Sequence, residues 1–174
     1  MGISATALND KIKTALSDYN NSSYKYDTES PQHLKIIGDT MKDYFEENTE
    51  ITYSWSAVMP PPASTPDPVT SFKSTVLFPN FDITPAHSLD DMALFIQAAF
   101  AGAIIKHAVG FTVAPGTFLA LAPPVLGRST DTETALLTCI SSPVCTWVLT
   151  LINPAPLAGS HAAYTGATIK MEIA

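Results

Sequence analysis

Val144-Cys145-Thr146-Trp147-Val148-Leu149-Thr150-Leu151-Ile152 is the stretch on which the reading of this fold turns. It reads as a strong strand, with Cys145, Trp147, Leu149 and Leu151 on one face and Asn153-Pro154 as its stop. Three further segments point the same way. Ile51 to Met59 alternates apolar and polar residues until Pro60-Pro61-Pro62. Phe72, Ser74, Val76 and Phe78 suggest a second strand, antiparallel to the first if the intervening loop folds back. Ile169-Lys170-Met171-Glu172-Ile173 alternates cleanly at the end of the chain. The expected fold class is therefore α+β: an antiparallel sheet of at least four strands, with an N-terminal helical pair and a central apolar helix.

The helices announce themselves by their caps. Ser4 precedes Leu8, Ile12, Leu16 and Tyr19 at helical spacing. Ser30-Pro31 opens a second helix, since proline in the first turn sacrifices no hydrogen bond. Leu34, Ile37, Met41, Tyr44 and Phe45 form its stripe, and Asp39, Asp43, Glu46 and Glu47 lie mostly elsewhere. Ser88-x-x-Asp91 resembles a capping box and predicts a third helix from Leu89 to about His107, apolar nearly all round and so central. Thr130-x-x-Glu133 predicts a short helix through Ile140 that ends before Pro143. The organisation expected is an N-terminal helical segment, 1–50, and an α+β body, 51–174, together forming one compact unit.

Composition limits the function. The 174 residues are 46% hydrophobic and only 14% charged, with net charge −7, against about 25% charged in ordinary domains. The charge is concentrated in the first 50 residues, and Arg128 is the only arginine. A nucleic-acid binder needs cations to displace counterions from phosphates, so direct nucleic-acid binding is not expected. Met92 to Ile105 is apolar except for Gln97, but falls short of the ~20 residues a bilayer requires. A membrane-active role through that segment is the third-ranked reading, and no membrane partner is expected. The start of the chain has no apolar signal-peptide core, so export by a signal peptide is not expected.

Chemistry-bearing motifs are sparse. The histidines make no HExxH or similar metal spacing. Cys139 and Cys145 read as small buried hydrophobes rather than a disulfide or a nucleophile. His87 with Asp90 and Asp91 is the one candidate site for a metal or a general base, and it supports a runner-up reading as a small enzyme or ligand-binding domain. The same residues also fit ordinary helix-start chemistry, acids at the positive end of the dipole. No catalytic residue, cofactor or bound metal is assigned by the leading reading.

Gly2-Ile3-Ser4-Ala5-Thr6-Ala7-Leu8 with Lys11-Ile12-Lys13-Thr14-Ala15-Leu16, and then Ile36-Ile37-Gly38 through Asp43-Tyr44-Phe45 to Asn48-Thr49-Glu50-Ile51, is similar to the opening of small virion structural proteins of tailed bacteriophages. The likeness covers about the first third of the chain. It implies a non-enzymatic tail, baseplate or neck component, made in the host cytoplasm and residing in the virion. Its partners would be copies of itself or other virion proteins. Low charge and apolar, proline-punctuated loops at 59–68 and 110–127 suit such a subunit. Candidate interface residues are Phe95, Phe100, Phe111, Phe118, Pro61, Pro66 and Asp67.

Overall fold

The computed structural model describes residues 2–56, 72–77, 86–106, 111–113, 122–127, 133–151, 159–161 and 168–173, the strands among them by backbone alone. Helix α1 (Ala5–Tyr19) starts at Ser4, whose Oγ accepts the N–H of Ala7. Helix α2 (Pro31–Asn48) starts at Ser30, whose Oγ accepts the N–H of His33. Leu8, Ile12 and Leu16 face Leu34, Ile37, Met41 and Tyr44, all buried, because residues three and four apart share one side of a helix. Helix α3 (Leu89–Ala101) adds Met92, Ile96, Ala99 and Phe100 to the same core. The last helical rod runs without a break through α4 (Glu133–Leu136), a π-helical turn (Leu137–Ser141) and α5 (Ser142–Thr150). It contributes Leu136, Ile140, Val144, Cys145 and Val148.

Four aromatic rings run edge to face through this core. Tyr44 meets Phe45 at 5.4 Å between centroids, Phe45 meets Phe100 at 5.6 Å, and Phe100 meets Trp147 at 5.3 Å. The row thus ties α2, α3 and α5 together, and each such pair is worth about 0.5–1.5 kcal/mol beyond burial. Both ends are anchored by hydrogen bonds. The Tyr44 hydroxyl accepts the Ser4 N–H at 2.6 Å and donates to the Ser4 carbonyl at 2.9 Å. The Trp147 indole N–H donates to the Ala122 carbonyl at 2.8 Å. A buried polar pair, Ser141 Oγ donating to Asn9 Oδ1 at 3.5 Å, joins the π turn to α1.

The expected α+β class, with a sheet of at least four strands as the body, is corrected. Where side-chain packing is described, 70% of residues are helical and none is in a strand. Strand pairing is recorded only along the backbone: β1 (Glu50–Ser56) lies antiparallel between β2 (Phe72–Leu77) and β6 (Thr168–Ile173). β3 (Ile104–Lys106) pairs with β2, and β4 (Phe111–Val113) pairs with β5 (Gly159–His161).

Two local expectations are corrected with it. Val144 to Ile152 is not a strand: α5 runs from Ser142 to Thr150. An apolar run of that length carries no period that separates strand from buried helix, and burial of Val144, Cys145 and Val148 at helical spacing decides it. The preceding helix does not end before Pro143, because proline is accommodated at the start of α5. Helix α3 stops at Ala101 rather than near His107, capped by Gly102, and β-branched Ile104 and Ile105 continue as strand. Nor is α3 buried all round, since Leu94 is 53% exposed.

Phe100 is 1% exposed and touches rings on both sides. Phe100→Ala should cost about 3–5 kcal/mol, whereas Leu94→Ala on the outer face of α3 should stay within about 0.5 kcal/mol. Urea unfolding of both variants checks this.

Candidate interaction surface

Pro143 sets up the surface. In an α-helical register the N–H of residue 143 would bond to the carbonyl of Cys139, but proline has no N–H and its ring crowds that carbonyl. The helix widens into the π turn at this point, with the Ser142 N–H reaching back to the Leu137 carbonyl. The Cys139 carbonyl, which residue 143 cannot engage, accepts the N–H of Gly127 at 2.8 Å. With the Trp147 bond to Ala122, this pins both ends of an extended strap, 122–127, along the outside of the rod. Along the strap Pro124 is buried and Leu126 half-buried, while Val125 points out and is 87% exposed. Extended backbone alternates its faces in this way.

Gly127 is required by the closeness of the approach. A Cβ there would stand 3.0 Å from both Cβ and Sγ of Cys139 and 3.3 Å from its Cα. Between the strap and the rod lies an open groove of about 620 Å³, lined among others by Pro123, Val125, Pro143, Thr146, Trp147 and Thr150. Its rim is mostly apolar and free of charged side chains among the lining residues.

The residues singled out from sequence fall in different places. Phe95 is half-buried against the core and Phe100 lies inside it, closed to any partner. Phe111 sits on β4, described by backbone alone, and Phe118, Pro61, Pro66 and Asp67 lie outside the described residues. His87 and Asp90 are exposed. Asp91 Oδ2 accepts the backbone N–H of His87 at 3.1 Å, and its own N–H donates to Ser88 Oγ at 3.1 Å. The cluster is thus assembled as a helix cap, in which His87 takes part through its backbone. No group of three or more His, Cys, Asp or Glu side chains is placed to hold a metal among the described residues. Among them, too, no helix is long and apolar enough to cross a membrane.

The acidic face of α2 is largely paired. Asp39 meets Lys35 at 2.6 Å, Glu46 meets Lys42 at 3.9 Å and Glu47 meets Lys11 from α1. Such exposed pairs each contribute little. The two cysteines are free thiols. Burial pushes the Cys145 thiol up to about 12, so it is inert as a nucleophile near neutrality. Burial likewise raises the Tyr44 phenol, with the Ser4 backbone bond acting in the opposite direction.

The sequence marked the strap only as part of the interface-suited loop 110–127, and it did not mark Pro143 as functional. Pro143 read as a stop signal, and nothing local in 122–127 says that it lies on a helix. Comparison with known proteins adds no identification: no family model, curated protein or solved structure matches this chain.

Pro143→Ala restores an N–H that competes for the Cys139 carbonyl. Amide exchange at Gly127 should accelerate by about five-fold or more, the loss of roughly one hydrogen bond, while exchange within α1 stays unchanged. Alkaline unfolding gives a separate check. A thiol whose folded value is raised contributes stability below its ordinary value and loses it as pH rises toward about 12. Cys145→Ala should therefore flatten the fall in stability above about pH 9, leaving the smaller contribution of Tyr44, which has the same sign.

Proposed function

We propose that this chain is a non-enzymatic assembly subunit that works through protein–protein contacts, and that the particle it builds is that of a tailed bacteriophage, in its tail, baseplate or neck. The observation that carries the reading is the strap groove. A mostly apolar rim, pinned by two hydrogen bonds to backbone carbonyls, exposes Val125 in a groove that Trp147 also lines. Tryptophan set in a preformed groove is a typical anchor of protein interfaces. The low overall charge of 14% is in keeping with surface destined for neighbours. The phage setting rests on the resemblance of the first third of the sequence to virion structural proteins.

Molar mass in solution, by size-exclusion chromatography with light scattering, tests the assembly reading. The wild-type chain should form a discrete oligomer or an extended assembly. Val125→Asp places a charge on the exposed rim, away from the core, and should raise the dissociation constant by roughly ten-fold or more, equivalent to ~1.4 kcal/mol, with thermal unfolding of the dilute protein unchanged. A wild-type chain that stays monomeric over the accessible concentration range, and does not join a candidate virion partner, would sink the reading.

A further inference from the structure

We propose that the linker between α1 and α2 is a proton-operated clasp, closed by the neutral imidazole of His33. This inference is independent of the assembly reading. The hydrogen bonds around the ring fix its tautomer. Asn20 donates through Nδ2 to the Lys25 carbonyl at 2.7 Å, so its Oδ1 is the end that meets His33 Nε2, at 3.1 Å. An amide oxygen can only accept, and Nε2 therefore carries the ring proton. Nδ1 holds the lone pair and accepts the backbone N–H of Asp27 at 2.8 Å. One ring thus fastens the end of α1, the middle of the linker and the first turn of α2. Tyr19 packs its ring edge-on against it at 5.6 Å.

The turn that the clasp closes passes twice through the left-handed region. Asn21 and Ser22 have φ of 54° and 84°, a conformation that asparagine tolerates and serine disfavours. The geometry is held by its partners, including the Ser22 N–H bonded to the Ser17 carbonyl at 2.8 Å.

Protonation puts a hydrogen on Nδ1, where it faces the Asp27 N–H, donor against donor. The imidazolium would also sit in the first turn of α2, where a cation opposes the helix dipole. The charged groups of the surrounding elements act in both directions. On the linker, the Asp27 and Glu29 carboxylates favour the cation and Lys25 opposes it. Asp27 Oδ1 is already engaged by the Glu29 N–H at 2.9 Å. On α2, Lys35 is paired with Asp39. From α1 come the Tyr19 phenol and Asp18, the latter lining the groove between α1 and α2. From α3, Asp90 shares a small cleft with Thr28 and Glu29 of the linker.

Nitrogen-15 NMR of the full chain at about pH 8 and at about pH 5 tests this. At the higher pH, Nδ1 should show the shift of an unprotonated acceptor and the Asp27 amide should be protected. At the lower pH, the Asp27 protection factor should fall about five-fold or more, the equivalent of one lost hydrogen bond. His33→Asn offers a carbonyl oxygen near the position of Nδ1 and cannot be charged, so its Asp27 amide should keep the same protection at both pH values. A protonated Nδ1 at the higher pH overturns the proposal, as does unchanged Asp27 protection in the wild type. An equal loss in His33→Asn also overturns it, by assigning the change to the carboxylates. If that variant does not fold, the wild-type tautomer and pH comparison still decide.

Discussion

The edge-to-face row Tyr44–Phe45–Phe100–Trp147 is the constraint from which the rest of the described structure follows. It crosses three helices, and rings at such close spacing leave little freedom to slide. Because each end is hydrogen-bonded to backbone, at Ser4 and at Ala122, the row also fixes the start of α1 and the course of the outer strap. The core and the candidate surface are thus parts of one mechanical unit. A change in the packing of Phe100 is transmitted to Trp147, which forms both a face of the core and a wall of the groove.

The second constraint is negative: a hydrogen bond that proline cannot make. Pro143 costs its helix one N–H, and the helix answers by widening rather than breaking. The freed carbonyl of Cys139 is then used by Gly127. Short π turns are often found where a protein has a use for the irregularity, and here the use is visible as the attachment of a second segment.

How much of this could be read from sequence depends on whether the signal was local. Helices α1 and α2 were legible because Ser4 and Ser30 cap them and their apolar stripes keep a single period. The same Ser-Pro signature that opens α2 at Ser30-Pro31 recurs at Ser142-Pro143, where it stands inside a continuous rod. It read there as an end because the apolar run behind it has no polar face to reveal its period. The inference of a sheet-centred body failed with it. The dual character of His87, Asp90 and Asp91 was legible, and the Ser88 and Asp91 hydrogen bonds assign the cluster to helix capping. The strap's residues fell within the loop 110–127 that suited an interface, but its seat on the rod was not legible, since that depends on the carbonyl of Cys139, twelve residues beyond Gly127 and four before Pro143.

The pairing of Gly127 with Pro143 also shapes which sequences this fold can tolerate. Glycine is needed at 127 only while the strap lies hard against Cys139, and the strap lies there only while proline leaves that carbonyl open. Once position 143 regains an N–H, the strap loosens and a side chain at 127 meets less resistance. The effects of substitution at the two sites are therefore non-additive, and the order in which they change matters. A lineage that loses the proline first can drift at the glycine, whereas the reverse order must pass through a strained intermediate.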